Sequence, residues 1–305
     1  MKSRRDFIKK ASLGALGFSL LPNELLANAD LIKLTILHTN DMHSHIQPFT
    51  NGRNKGLGGM AQRATLIKRL RQENEHVLLL DAGDIFQGTP YFNMYGGELE
   101  FKLMSAMKYD AATIGNHDFD NGLDGILRKL PHAKFPFLCA NYDFSDSLLY
   151  GKFEPYKVSK KGGIRIGVFG IGIELEGLVP KSLYGNTIYH NPIRKSNYYA
   201  DHLKNKLGCD LIICLSHLGF KYKEQKIDDI NLAEQTNNID LIIGGHTHTF
   251  LNKPITKLNS KQKEVLIAQV GWAGIKIGKI DYFFSQKKVI KNFLGGSFSI
   301  KNRLK

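Results

Sequence analysis

One pattern recurs along the chain and constrains its fold more than any other feature. Five short apolar runs, each typical of a buried strand, end at a group of acidic, histidine or asparagine residues. In α/β sheets, functional side chains lie at the carboxyl ends of the strands. The pattern therefore predicts a layered α/β fold with one polar site. The five groups are Asp41-Met42-His43, Asp81-Ala82-Gly83-Asp84, Gly115-Asn116-His117-Asp118, Ser216-His217 and Gly244-Gly245-His246-Thr247-His248.

Asp41 and His43 show why such a group suits a metal ion. Residues two apart in an extended chain point to the same side, so a carboxylate and an imidazole at this spacing can bind one ion together. Taken alone, this motif also fits a solvated loop. A single histidine after a strand is more often a hydrogen-bonded structural residue than a metal ligand. Five groups that each follow a strand-like run favour a shared site over coincidence.

Apolar runs alternate with amphipathic stretches along the chain, which predicts an α/β layered architecture. The runs 265–269 and 275–283 are separated by only a short glycine-containing turn, so we expect them to form an antiparallel pair. Residues 285–305 are expected to form one more edge strand or a loose basic tail. The predicted strands are 32–38, 77–81, 111–114, 136–139, 164–171, 211–215, 240–243, 265–269 and 275–283. The predicted helices are 61–73, 98–107, 123–130, 196–207 and 227–236.

The first 29 residues have the three parts of an export signal. Charged residues 2–10 precede an apolar run over 11–21, and Ala27-Asn28-Ala29 provides a small-x-small cleavage site. Arg4 and Arg5 resemble the paired arginines of a twin-arginine signal. The apolar run is too short to span a bilayer comfortably, although an amphipathic helix or a membrane anchor is the alternative. We predict export to the periplasm by the twin-arginine route, cleavage after about Ala29, and a single domain over 30–305.

The charge of the chain suits an anionic substrate. The formal net charge is +14, of which residues 1–29 carry +3, leaving +11 for the remainder. The lysines are spread along the chain without a nucleic-acid motif, so we expect no nucleic-acid polymer as a partner. Three cysteines, at 139, 209 and 214, are an odd number, which argues against a disulfide framework. We expect Cys209 and Cys214 to be buried thiols, and no further segment to span a membrane.

The order of the motifs resembles a known family. D-x-H, G-D, G-N-H-D, S-H and G-H-T-H are similar to the calcineurin-like metallophosphoesterases. The longer segments LHTNDMHSH (37–45) and GNHDFDNG (115–122) resemble the 5′-nucleotidase branch, which includes UDP-sugar hydrolases and cyclic-nucleotide phosphodiesterases. The resemblance covers about 31 to 282 and implies a four-layer α/β/β/α sandwich, with two mixed sheets flanked by helices.

The resemblance also implies a two-metal site. One ion would be bound by Asp41, His43 and His248, and Asp84 would bridge to a second ion bound by Asn116, His217 and His246. Nitrogen and oxygen ligands together suit Mn, Zn or Fe. The two ions would hold the phosphoryl oxygens and supply a metal-bridging hydroxide as the nucleophile.

His117 is expected to be catalytic rather than a ligand. It would stabilise the transition state or protonate the leaving oxygen, and Asp120 would orient it and favour its charged form. Asn116 and His117 would also contact the substrate. We assign no direct role to Asp118, and we do not expect His45 to be a ligand.

The sequence therefore predicts an exported phosphoesterase acting on small phosphate esters, with nucleotides as the expected substrates. Related hydrolases act on cyclic nucleotides, UDP-sugars or a sulfur ester, and these remain alternatives. Relatives in this branch usually carry a second, C-terminal substrate-binding domain, which we do not expect after residue 285. A separate chain would then supply it, or the lone domain would act broadly, or loops 47–59 and 174–186 would set specificity. A non-enzymatic scaffold is disfavoured because every predicted ligand is present.

Overall fold

The computed structural model describes residues 31–301, so the predicted signal at 1–29 lies outside the described residues. The first of two large sheets contains five strands: β1 (Ile32–Thr39), β2 (Val77–Asp81), β3 (Ala111–Ala112), β12 (Lys276–Phe284) and β13 (Ile290–Ser299). Their order is β13-β12-β1-β2-β3. The strand β1 pairs parallel with β2 and antiparallel with β12, so the sheet is mixed.

The second large sheet has six strands: β5 (Tyr156–Lys161), β6 (Ile164–Ile171), β8 (Leu211–Ser216), β9 (Leu241–Gly244), β10 (Ile255–Leu258) and β11 (Glu264–Ala268). Their order is β10-β11-β9-β8-β6-β5, with the four central strands parallel and both edge strands antiparallel. The almost continuous apolar sequences of β6 and β8 are typical of strands buried on both faces.

Helices cover the outer faces of both sheets. The α-helices are α1 (Met60–Glu73), α2 (Pro90–Tyr95), α3 (Glu98–Ala106), α4 (Gly122–Lys129), α5 (Lys181–Tyr184), α6 (Pro192–Asp201) and α7 (Asp229–Gln235). A π-helical segment, His202–Lys206, extends α6, and short 3-10 segments lie at His117–Phe119 and Leu130–His132. The strands β4 (Tyr142–Asp143) and β7 (Ile188–Tyr189) form a small separate sheet.

Buried side chains between these layers confirm the four-layer prediction. Ile36 of the first sheet and Ile213 of the second belong to one apolar cluster, which fills the space between the sheets. On the outer face of the first sheet, Leu79 packs in a cluster with residues of α1 and α3. On the outer face of the second, Ile212 packs with residues of α6 and α7. Apolar side chains thus pack between the two sheets and also between each sheet and the helices on its outer face.

The predicted pairing of 265–269 with 275–283 is wrong. The strands β11 and β12 form where expected but belong to different sheets, since β11 lies between β9 and β10 whereas β12 lies between β1 and β13. Left-handed backbone at Gly271, Ala273 and Gly274 carries the chain across from one sheet to the other. A local apolar pattern identifies a strand but does not identify its partner.

Several other differences from the predictions concern strands at sheet edges. The stretch 136–139 is not a regular strand because it divides its hydrogen bonds: Leu138 N donates to Ala112 O and Ala140 N donates to Gly170 O, in different sheets. The prediction missed β5 and β10, whose lysine-containing sequences lie at sheet edges. Residues 290–299 form an edge strand paired with β12, with a shift of register between Phe283 and Phe284.

Two expectations about burial and membranes can be compared with the structure. Cys209 and Cys214 are free and buried, as expected, and Cys139 is also free and buried. Within residues 31–301, none of the helices combines the length and the apolar character needed to cross a bilayer.

Candidate metal centre

The five polar groups meet at one end of the sandwich. The segments after β1, β2 and β3 come from the first sheet, and those after β8 and β9 come from the second. Six side chains from four of these segments form two groups whose potential ligand atoms lie within 4.8 Å of one another in each group. The site therefore lies at the seam between the sheets. The first group is Asp41, His43 and His248, and the second is Asp84, His217 and His246.

Asp84 connects the two groups. Its Oδ2 atom lies 3.1 Å from His217 Nε2 in its own group and 3.9 Å from His43 Nε2 in the other. In the first group, His248 Nε2 lies 2.9 Å from His43 Nε2 and 3.5 Å from Asp41 Oδ1. One carboxylate is thus positioned where an ion in either group could share it.

Asn116 joins the second group. Its Oδ1 atom lies 2.8 Å from His246 Nδ1, so an amide oxygen and an imidazole nitrogen lie side by side as potential ligand atoms. All seven residues that the sequence predicted as ligands are therefore neighbours in the fold. Their binding of metal stays a prediction.

Hydrogen bonds to backbone carbonyls orient two of the imidazoles. His217 Nδ1 lies 2.7 Å from Ala82 O, and His43 Nδ1 lies 3.3 Å from Phe86 O. Because a carbonyl only accepts, each Nδ1 must carry the hydrogen. The Nε2 atoms of both rings then face the carboxylates, which is the orientation that outer-sphere hydrogen bonds impose on metal-binding histidines.

The electrostatics of the site also suit cations. Burial lowers the pKa of His43 and of His246 to about 4, so both rings are neutral at pH 7. Burial also acts to lower the pKa of His217, but the adjacent Asp84 and Asp41 carboxylates outweigh it and raise this pKa to about 10. A proton on His217 thus balances buried negative charge, and a cation binding there would displace that proton.

The backbone at the site is unusual. Five of the seven predicted ligands have a left-handed conformation, with φ between 47° and 70°: Asp41, His43, Asp84, His246 and His248. A non-glycine residue costs roughly 1–2 kcal/mol in this conformation. Strained backbone of this kind concentrates at functional sites, where the surrounding structure holds it in place.

His117 and Asp120 form a pair beside the two groups. His117 Nδ1 lies 3.0 Å from Asp120 Oδ2, and this hydrogen bond is the main reason that the pKa of His117 is raised. The His117 ring lies 5.3 Å from the His43 ring, centre to centre, and 38% of its side chain is exposed. The partly exposed imidazole of His117, whose pKa Asp120 raises, therefore lies beside the first ligand group.

Asp118, to which the sequence assigned no role, is the residue that ties two loops together. Its buried carboxylate accepts hydrogen bonds from the backbone N–H groups of Asp84, Ile85 and Phe86 at 2.9–3.1 Å, and from Gly115 at 2.8 Å. The loop that carries Asp84 is thereby fixed against the loop that carries Asn116 and His117. No local pattern could reveal this role, because three of the four donors lie more than 30 residues away.

Two amide side chains, which the sequence analysis also missed, hold the remaining loops. Asn40 Nδ2 donates to Asp41 Oδ2 at 2.5 Å and to Gly271 O at 2.6 Å. Gln269 is fully buried, donates from Nε2 to Gly245 O and accepts from Thr249 N. These contacts position the His246–His248 turn, and the position of Asn40 directly before Asp41 is the only sequence signal for either amide.

Gly115 must be a glycine for a steric reason. A Cβ atom there would lie 2.2 Å from Asp84 Oδ1 and 2.7 Å from His217 Cε1. We expect Gly115→Ala to lower the free energy of unfolding by about 1–3 kcal/mol, the usual cost of overpacking, measured by denaturant titration. Gly296→Ala is the matched control, because its nearest neighbour would be Asn252 O at 3.8 Å. Equal denaturation midpoints for the two variants would contradict the steric argument.

Comparison with known proteins agrees with this geometry. The model of the calcineurin-like phosphoesterase family matches residues 34–250, which include all seven predicted ligands. The chain belongs to the calcineurin-like phosphoesterase family. The matched stretch runs from within β1 past the His246–His248 turn, so the family assignment rests on the site as well as on the sheets.

Curated relatives place the chain in the 5′-nucleotidase branch. It is 34% identical over 287 residues to the snake venom 5′-nucleotidase of Crotalus adamanteus, which covers 87% of this chain and 47% of the venom protein. It is 36% identical over 229 residues to the human 5′-nucleotidase, covering 72% of this chain and 38% of that one. The chain thus spans about half the length, or less, of these relatives.

Among solved structures, the 5′-nucleotidase precursor of Thermus thermophilus superposes with a TM-score of 0.78 at 32% identity. That match covers 88% of this chain and 55% of the Thermus chain. The NAD nucleotidase of Haemophilus influenzae superposes with a TM-score of 0.77 at 28% identity, over 89% of this chain and 57% of the other. The fold prediction is therefore confirmed independently of the site.

Proposed function

We propose that this protein is an exported phosphomonoesterase that uses two divalent metal ions to hydrolyse nucleoside 5′-phosphates. One observation carries the proposal: the Asp84 carboxylate joins two ligand groups, at 3.1 Å from His217 Nε2 and 3.9 Å from His43 Nε2, beside the His117–Asp120 pair. Family membership supports the phosphoesterase chemistry. The 5′-nucleotidase names of the relatives support nucleotides as the substrate class.

The residues present fit a pair of cations. His217 Nε2 is buried and faces two carboxylates, 3.1 Å from Asp84 Oδ2 and 4.0 Å from Asp41 Oδ1, which leaves a lone pair directed into the site once the proton is displaced. Asp41, His43 and His248 would hold one ion. Asp84, shared with the first ion, would hold the other together with Asn116, His217 and His246. This donor set suits Mn, Zn or Fe, and bound cations would neutralise phosphoryl oxygens and lower the pKa of water.

His117 supplies the proton that the reaction needs. Hydrolysis forms a bond between water oxygen and phosphorus and breaks the bond between phosphorus and the ester oxygen. The ester oxygen leaves as an alcohol only if it gains a proton, which the protonated His117 ring can donate. Asp120 holds this ring by its Nδ1 atom, so Nε2 is the atom that faces the leaving group.

The proposed test is a substrate panel with the purified protein. AMP, ribose 5-phosphate, p-nitrophenyl phosphate, a 2′,3′-cyclic nucleotide, UDP-glucose and a thiosulfate ester are each assayed with Mn, Zn or Fe and after chelation. We expect phosphate release from AMP that is lost on chelation and restored by metal. Turnover of only the cyclic nucleotide, UDP-glucose or sulfur ester would replace the proposed substrate, and metal-independent turnover would contradict the proposed chemistry. A separate substrate-binding chain has no support among the matched proteins, and this assay is done without one.

Export rests on the leader sequence rather than on the fold. Arg4 and Arg5 occur in the order expected of a twin-arginine signal, ahead of the apolar run and Ala27-Asn28-Ala29. We expect the protein to accumulate in the periplasm without residues 1–29. Changing both arginines to lysine should keep it in the cytoplasm, as measured by cell fractionation. An unchanged periplasmic fraction in the double variant would count against this route.

A further inference from the structure

Three aromatic rings beside the first ligand group are not used by the machinery described above. The indole of Trp272 lies parallel to the His248 imidazole, with ring centres 5.7 Å apart and planes inclined by 10°. His45 and Phe49 stack on each other at 4.7 Å and meet Trp272 nearly edge-on, at 5.4 and 5.9 Å. These spacings are those of interacting aromatic pairs. We call Trp272, His45 and Phe49 the aromatic shelf.

Hydrogen bonds on both sides of Trp272 fix the shelf to the metal-binding loops. Gly271 N donates to Thr249 O at 2.9 Å, next to His248, and Gly271 O accepts from Asn40. On the other side, Ala273 N donates to Asp41 O at 2.7 Å. The residues on either side of Trp272 are thus tied to the backbone of the predicted ligand Asp41 and to that of Thr249, the neighbour of His248. A ring held in this way loses little conformational freedom when a ligand binds to it.

The shelf is not part of the hydrophobic core. All three of its residues are half-buried, and none belongs to the four apolar clusters formed by residues 31–301. A tryptophan with a purely structural role would be expected among those clusters. The remaining structural explanation is that Trp272 only holds the His248 ring in place, and this explanation makes a different prediction from ligand binding.

We propose that the aromatic shelf binds the nucleobase of the substrate by stacking, while the phosphate lies at the metal centre. The inference rests on the proposed function and names a specificity site for it on the catalytic domain itself. The Trp272 ring packs directly against the imidazole of His248, a proposed ligand of the first ion. The sugar of a bound nucleotide would therefore lie between the base on the shelf and the phosphate at the metal centre. Because every base has a flat π-face, stacking favours nucleotides over other phosphate esters with little preference among bases.

Trp272 is the only tryptophan of the chain, so intrinsic fluorescence reports on the shelf directly. The experiment uses metal-loaded His117→Ala protein, in which turnover is slow, and compares AMP with ribose 5-phosphate. We expect AMP to change the tryptophan emission with a saturable titration curve, and ribose 5-phosphate to compete with AMP while leaving the emission unchanged. An equal emission change with both ligands, or saturable AMP binding by calorimetry with no emission change, would overturn the proposal.

Substitution of Trp272 separates base binding from positioning of His248. We expect Trp272→Leu to lower kcat/KM for AMP by about tenfold or more, mainly through KM, and to leave kcat/KM for ribose 5-phosphate within about twofold. Trp272→Phe should retain most of the AMP activity. Equal losses on both substrates would mean that Trp272 acts through His248, and unchanged kinetics on both would remove the shelf from binding.

The outcomes also distinguish this inference from the proposed function. If the wild-type protein hydrolyses AMP and ribose 5-phosphate equally well, and AMP leaves the emission unchanged, the shelf proposal fails while the phosphatase proposal stands. If the wild-type protein hydrolyses neither ester, the proposed function fails, and the fluorescence titration still decides whether the shelf binds a nucleobase.

Discussion

Replacing His117 with alanine should lower kcat for AMP by about 10²- to 10⁴-fold while both metal ions stay bound. His117 lies beside the ligand groups, but its imidazole is paired with Asp120 at 3.0 Å and 38% of its side chain is exposed. Its loss would remove the proposed proton donor without removing a proposed ligand. Steady-state kinetics and metal content, measured by elemental analysis of the same preparation, test the two parts of this expectation together.

Asp120→Asn is the companion variant. It keeps the size of the side chain but replaces the carboxylate whose hydrogen bond to His117 is the main cause of its raised pKa. We expect a smaller loss of kcat than in His117→Ala, again with full metal content. A His117→Ala protein that retains kcat would exclude His117 as the acid, and one that loses metal would make it a ligand instead.

Replacing Asp84 with asparagine should abolish activity and lower the metal content below two ions per chain. Asp84 joins the groups, and its charge is the nearest to the buried His217 ring, at 3.1 Å. Losing an outer hydrogen-bond partner of a ligand costs about 10- to 100-fold in metal affinity, and losing a shared ligand should cost more. In the metal-free protein, breaking this buried pair should also lower stability by about 3–5 kcal/mol.

Asp124→Asn is the matched control for that prediction. Asp124 also makes an ion pair, 2.7 Å from Arg128 on α4, but both side chains are more than half exposed. Exposed pairs of this kind contribute little, so activity, metal content and stability should stay unchanged. Retention of two ions by Asp84→Asn would contradict the shared-ligand role, whatever happens to the rate.

Much of this architecture could be predicted from local sequence. The strands β2, β6 and β8 begin or end within one residue of the predicted limits, because continuous apolar runs between polar turns have few other solutions. The sequence also explains why the seven predicted ligands are neighbours. Each follows a strand, and parallel strands place their carboxyl ends at one edge of the fold.

What the sequence by itself determined is therefore the set of strands and the residues at their ends. Only the tertiary structure decided how the strands and loops are arranged. The strands β11 and β12 belong to two different sheets, and Asp118 accepts hydrogen bonds from two loops. The tertiary structure also placed Trp272 on the turn between those strands, against His248. These features depend on contacts between residues distant in the chain, whose partners are chosen by packing and hydrogen bonding across the whole domain rather than by local preference.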